Sequence, residues 1–258
     1  MLDLAARRLT PPSSSLDNIS SRKVRRLCDQ YGILLTLDEV KCGAGRTGTY
    51  FAFEQEGDDV VPDIVTIGKG VGGGYAPIAG ILIAKRILDS LRQGSASFNH
   101  GHTYQAHPMS CAAVLAVQQV IRDEDLVRAC AAKGRVLASL LHEAFANHEQ
   151  VGAVRGRGIF WGIEFVEDRT TKKPFKSSLD ICPKIQQKAF DLGLAVYPGR
   201  GTVDEWTGDH ILLAPPLVIE VEHITSMVNI LRDAVAAVVS EVVISSDFFL
   251  GSIHAVKH

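Results

Sequence analysis

The sequence predicts an α/β fold in which short parallel strands precede a smaller α/β unit with an antiparallel sheet. Leu34-Leu35-Thr36-Leu37 and Ile64-Val65-Thr66-Ile67-Gly68 are short apolar runs with β-branched residues and flanking turn residues, the pattern of strands covered on both faces. Each run delivers one ionisable residue, Asp38 and Lys69, to a strand end, and strand ends are where open α/β sheets bind ligands. Beyond Val151 the texture changes. Strand candidates Ile159–Phe165, Leu194–Tyr197 and Ile211–Leu213 alternate there with helix candidates Ile181–Leu192 and Val221–Val242.

Taken in order, residues 1–23 combine Pro11-Pro12 with a serine cluster and show no sustained period, so they read as an irregular leader. Val24–Tyr31 is the end of a helix closed by Gly32. After the first strand, Lys41–Gly48 is a glycine-rich loop, and Pro62-Asp63 leads into the second strand. Ala79–Ala84 is a third strand candidate. Cys111–Ile121 and Leu126–Phe145 carry apolar residues at helical spacing, with Asp123 or Asp125 as N-cap. A domain boundary is placed near residue 150, giving a first domain over 24–150 and a second over 151–258.

Composition bounds the function. The 258 residues can bury a substantial core, and 46% hydrophobic with 22% charged residues is ordinary for a globular chain. A formal net charge of −2 argues against a nucleic-acid surface, which is normally basic. The longest apolar stretch falls short of the roughly 18 residues a membrane span needs. Five scattered cysteines (28, 42, 111, 130 and 182), odd in number and never closely paired, suit reduced thiols and a cytoplasmic location.

Several motifs are excluded by their surroundings. Gly68-Lys69-Gly70-Val71-Gly72-Gly73 has the spaced glycines of a dinucleotide loop. Gly74-Tyr75-Ala76-Pro77 follows instead of a helix start. A Walker loop fails because Gly70 stands where a Ser or Thr is needed. His100, His102, His107 and Cys111 match no zinc spacing, so no metal is expected. What remains is Lys69 between glycines, which let the backbone approach a flat group closely, with an acid on a neighbouring strand end. Pyridoxal phosphate (PLP) requires that pairing: a lysine for its Schiff base and an anion beside its pyridinium nitrogen. Burial at a strand end is expected to disfavour the lysine's charged form. Asp38 and its neighbour Glu39 are both candidates for the acid, since strand periodicity cannot choose between them. Arg155, Arg157 and Arg200, each beside glycines, are either surface charges or holders of a carboxylate.

Taken together, Leu37-Asp38-Glu39-Val40, Gly45-Arg46-Thr47-Gly48, Pro62-Asp63-Ile64-Val65-Thr66-Ile67-Gly68-Lys69-Gly70, Gly72-Gly73-Gly74-Tyr75, His100-Gly101-His102-Thr103-Tyr104, Val154-Arg155-Gly156-Arg157-Gly158, Gly208-Asp209-His210 and Ala214-Pro215-Pro216 resemble the class III (omega) aminotransferases of PLP fold type I. The resemblance runs from about Val24 to about Val239. It implies the C-terminal half of a fold-type-I large domain plus a small α/β C-terminal domain. It also implies an N-terminally truncated member, because the family's phosphate-binding loop would precede the strand ending at Asp38.

The same resemblance implies roles. Lys69 would bind PLP as the Schiff-base lysine and shuttle a proton between the substrate Cα and cofactor C4′. Asp38 would hold the pyridine nitrogen protonated, and Val40 would pack on one ring face. Thr103 would reach the phosphate of a neighbouring subunit's cofactor, which implies a homodimer. The expected reaction moves an amino group between an amine or amino acid and a keto acid or aldehyde. Glu205-Trp206-Thr207 stands where relatives often hold a substrate-carboxylate arginine, leaving Arg200 as the nearest candidate. Two alternatives keep most of these residues: a PLP-dependent decarboxylase or racemase, and a non-catalytic remnant or dimerisation partner of a full-length relative.

Overall fold

A computed structural model of the chain describes residues 20–204 and 206–254, with side chains through residue 242. The first nineteen residues of the expected leader, and Glu205, lie outside the described residues. The chain divides into two compact units, which for the described residues comprise 20–134 with 157–159, and 135–156 with 160–254. The division falls inside one helix, between Gly134 and Arg135, where the sequence pattern suggested a boundary near residue 150.

In the first unit, α1 (Ser21–Gln30) starts at Ser20, whose hydroxyl accepts the Lys23 amide at 3.3 Å. It ends at Gly32 with φ +62, as expected from the glycine. Strands β1 (Thr36–Asp38), β2 (Ile64–Gly68) and β3 (Ala79–Ile83) form a sheet in that order. β1 and β2 run parallel with Asp38 opposite Thr66, and β3 is antiparallel to β2. Leu35, Leu37 and Cys28 are buried together beneath α1, with Val24 and Phe53 packed against them. β3 stays largely open despite its apolar sequence, with Ile81 and Leu82 exposed.

Helix α2 (Lys85–Gln93) was not among the helix candidates, although Ile87, Leu88 and Leu91 share one of its faces; none of its residues is buried. Helix α3 (Pro108–Asp123) opens with Pro108 in its first turn, and His107 Nδ1 accepts the Ser110 amide. Neither aspartate has a side-chain capping bond among the described contacts of α4 (Leu126–Phe145). Asp123 is the last residue of α3, while Asp125 has left-handed backbone and pairs with Arg128.

A buried polar hub ties α1 to the sheet. Asp63, 4% exposed, accepts the Leu35 amide at 2.7 Å and Arg25 Nη1 at 3.0 Å, and is also bonded by Arg86. Burial by itself raises the Asp63 pKa. The Leu35 amide and the two guanidiniums outweigh it and hold the carboxyl below the usual carboxylate range.

The second unit carries a four-stranded sheet in the order β4-β5-β7-β6, built from β4 (Val151–Arg157), β5 (Phe160–Phe165), β6 (Tyr197–Arg200) and β7 (Asp209–Leu213). β7 runs antiparallel to both β5 and β6. Every residue of β5 is buried. Its Ile163 and Phe165, with Ile181 and Ile185 of α5 (Ile181–Asp191) and Ile224 and Leu231 of α6 (Val221–His254), are fully enclosed. β4 was not among the strand candidates. In the structure Gly156 lies against Trp161, and a Cβ there would come within 2.4 Å of that ring and of the Phe160 carbonyl. β6 begins three residues later than the pattern suggested. Leu194 is consumed by the end of α5, its amide bonding the Ala189 carbonyl across Gly193 at φ +93.

All five cysteines are free, four buried and Cys111 exposed. Among the described residues no helix is long and apolar enough to cross a membrane, and no cluster of His, Cys, Asp or Glu has metal-binding geometry.

Candidate functional site

The ends of β1 and β2 lie side by side because the two strands are parallel neighbours. Asp38 closes β1. Its Oδ1 accepts the Val40 amide at 2.9 Å and the Thr66 hydroxyl at 3.3 Å, so the carboxylate is held by its own turn and by the register partner on β2. Oδ2 takes part in neither bond. Glu39, the alternative acid, is buried and its carboxylate is committed elsewhere. Its two oxygens accept the amides of Ala52 and Phe53, each at 3.0 Å, at the start of the 3₁₀ turn Ala52–Gln55. Glu39 therefore organises a turn, and Asp38 is the acid presented at the strand end.

Lys69 follows β2 directly and opens a 3₁₀ turn, Lys69–Gly72. Its φ of +44 is left-handed, which costs a residue with a side chain on the order of 1–2 kcal/mol and is a recurrent feature of functional positions. The expectation of a desolvated amine is corrected here: Lys69 is exposed. Gly68, immediately before it, is buried. A Cβ at Gly68 would meet the Ile78 carbonyl at 3.3 Å and Val40 Cγ1 at 3.4 Å, so Val40 lies beside the same strand end. The structure thus places Asp38, Val40 and Lys69 at the ends of one strand pair. Gln118 of α3 holds the lysine turn from behind: its Nε2 donates to the Val71 carbonyl at 2.8 Å, and its Oε1 accepts from the Tyr50 hydroxyl at 2.6 Å.

The remaining candidates are dispersed. Thr103 is exposed in the turn 103–106 that precedes α3. The neighbouring histidines act locally, His102 accepting the Tyr104 amide at 3.2 Å and His107 capping α3. Arg157 pairs with the buried Glu56 at 2.8 Å, and Glu56 also accepts the Ser21 hydroxyl at 2.6 Å. In the second unit Arg200 is ion-paired with Asp180 across an exposed surface. Trp206 and Thr207 both donate amides to Asp204 Oδ1, at 2.7 and 2.6 Å.

Sequence reasoning passed over Asp63, Tyr50 and Gln118. Pro62-Asp63 looks like an ordinary turn, and a glutamine on a helix gives no periodic signal. Spacing puts Gln118 on one stripe with Val114, Val117 and Ile121, the less exposed face of α3, but only the fold shows that it meets Val71 and Tyr50.

The first unit is an α/β architecture with an acid and a lysine on neighbouring parallel strand ends, and comparison with known proteins gives the family. Residues 17–235 match the family model described as Aminotransferase class-III, and the chain belongs to that family. An aminotransferase of Gibberella zeae is 46% identical over 215 residues, covering 83% of this chain and 42% of the relative. The aminotransferase YodT of Bacillus subtilis is 38% identical over 238 residues, covering 92% and 52%. Among solved structures, a transaminase from a marine Virgibacillus superposes with a TM-score of 0.78 at 34% identity, covering 85% of this chain and 48% of its own. A PLP-bound amine transaminase from an uncultivated Pseudomonas species gives 0.76 at 33%, covering 84% and 47%. The chain spans about half the length of the curated relatives it matches.

Proposed function

We propose that this chain serves a PLP-dependent transamination, moving an amino group between an amine or amino acid and a keto acid or aldehyde. The observation that carries the proposal is the pairing of Asp38 and Lys69 at the ends of adjacent parallel strands, in a chain of the class III family. The donor set suits the cofactor. Among the described residues the Asp38 carboxylate is bonded through Oδ1, and glycines flank the lysine, so a flat ring meets no side chain from positions 68 or 70.

When bound, PLP supplies an aldehyde that condenses with amines and an electron-poor ring that accepts the electrons released at the substrate Cα. Lys69 would be the amine that holds it and would carry a proton between the substrate Cα and cofactor C4′. Asp38 holds a proton at the pyridine nitrogen. Its bonds from Val40 and Thr66 keep the carboxylate aimed. Val40 would cover one ring face, and the Thr103 hydroxyl would donate to the cofactor phosphate of the partner subunit in a homodimer. Arg200 is a candidate for a substrate carboxylate only when its ion pair with Asp180 opens.

The test is reductive trapping. Borohydride treatment with added PLP should fix a pyridoxyl group on the Lys69 peptide, and Lys69→Ala should remove it. Asp38→Asn should retain attachment while slowing transamination by roughly 100-fold or more, because the charge that stabilises the developing electron pair is lost. A pyridoxyl group that persists in Lys69→Ala would overturn the assignment.

A further inference from the structure

We infer that Gln118 is a positioning residue for Lys69, acting through the backbone of the lysine turn, with Tyr50 fixing the orientation of its amide. This deepens the reading of Lys69 as the cofactor's amine and rests on it.

Lys69 has a left-handed backbone and is followed by Gly70, Gly72, Gly73 and Gly74. A turn this rich in glycine has many alternative conformations and few side chains of its own to anchor it. Inside the turn, the Gly73 amide bonds the Gly70 carbonyl at 3.0 Å and the Tyr75 amide bonds the Gly72 carbonyl at 2.9 Å. Around it stand Ile78 and helix α3. A Cβ at Gly72 would stand 3.1 Å from Ile78 Cγ2 and 3.7 Å from Val114, and one at Gly73 would stand 3.2 Å from Val117. Gln118 is one residue further along the same stripe and adds a directional bond, Nε2 to the Val71 carbonyl at 2.8 Å.

The amide has one workable orientation. The Val71 carbonyl can only accept, so Nε2 must face it, which turns Oε1 toward Tyr50. The Tyr50 hydroxyl donates there at 2.6 Å, and burial raises its pKa, which keeps it protonated. A leucine at 118 would preserve the packing and leave the Val71 carbonyl without this donor. Glutamate would set a carboxylate against it at neutral pH and restore a donor once protonated.

The experiment is hydrogen exchange on the full 258-residue chain, comparing protection of the Gly73 and Tyr75 amides with that of residues 64–67 as internal reference. In Gln118→Leu the two turn amides should exchange roughly tenfold faster while the strand is unchanged, about the effect of one lost hydrogen bond. In Gln118→Glu protection should be low at pH 7 and recover towards the wild-type value as the pH falls through the usual glutamate range near 4. Tyr50→Phe, which removes one hydroxyl, should show a smaller effect of the same kind and carries the test if Gln118→Leu does not fold. Borohydride-trapped PLP should lose its preference for Lys69 over the exposed Lys85 by a few-fold in each variant at pH 7. Unchanged turn protection, a uniform rise across residues 64–75, or full protection in Gln118→Glu at pH 7 would overturn the inference. A Lys69→Ala protein that still traps PLP would sink the cofactor reading while leaving these exchange results intact.

Discussion

The two units handle buried carboxylates in opposite ways. In the first, Asp63 is almost fully enclosed yet stays ionised, because an amide and two guanidiniums converge on it. In the second, burial prevails. Glu164 on β5 is pushed up despite the nearby Arg155 and Lys172, and Asp209 on β7 is pushed up despite the Cys182 amide and Arg200. The first unit uses a charge as a clamp. The second tolerates acids inside a sheet whose stability comes from apolar packing around Ile163, Phe165 and Ile211. The difference follows the cores: the first unit has a small sheet with an exposed third strand and needs polar ties, whereas the second encloses a whole strand.

The largest expected effect that tests this contrast is Asp63→Asn. Removing its charge leaves the enclosed Arg25 with Asp29, at 2.7 Å, as a remaining carboxylate partner, so urea titration should show a loss of about 1–3 kcal/mol. A loss under about 1 kcal/mol would erase the distinction between the units. Asp209→Asn should be milder, within about 1 kcal/mol of the parent at neutral pH, because burial already disfavours the carboxylate and the asparagine oxygen can still accept the Cys182 amide. A loss comparable with that of Asp63→Asn would mean that Asp209 is also a clamp.

The smallest effect is a difference in pH dependence. The folded-state pKa of Asp63 lies below its unfolded value near 4, so its stabilisation is complete above that value and is lost as the pH falls through the folded pKa. Asp209 is raised, so it binds more protons when folded than unfolded. Its penalty is absent below about pH 4 and grows as the pH rises through the folded pKa. His148, whose protonation burial disfavours, opposes this on acidification in the same unit, so the comparison must be made against Asp209→Asn. Between pH 7 and 4 the parent should gain stability relative to that variant. A relative loss would reverse the assigned direction.

Much of the fold was legible. The runs ending at Asp38 and Lys69, the helices around Val24, Leu126 and Val221, and the glycine closing α1 follow from local patterns that repeat the chemistry of strands and helix ends. β4 was missed and β6 was started three residues early, and each involves a glycine whose role depends on the fold. Gly156 is there so that Trp161 can lie against the backbone, and Gly193 lets α5 end before β6 begins. α2 was missed although Ile87, Leu88 and Leu91 give it an apolar face, because that face spans only nine residues.

By itself the sequence determined the strand ends, the ionisable residue on each and the family motifs around them, because short-range periodicity and turn chemistry are local properties. Only the tertiary structure decided that Glu39 is spent on the Ala52 turn while Asp38 remains at the strand end. The same holds for Asp63 as the anchor of α1 and for Gln118 reaching the lysine turn from α3. Those assignments depend on which hydrogen-bonding groups meet across dozens of residues, and linear spacing does not encode where two distant segments come together.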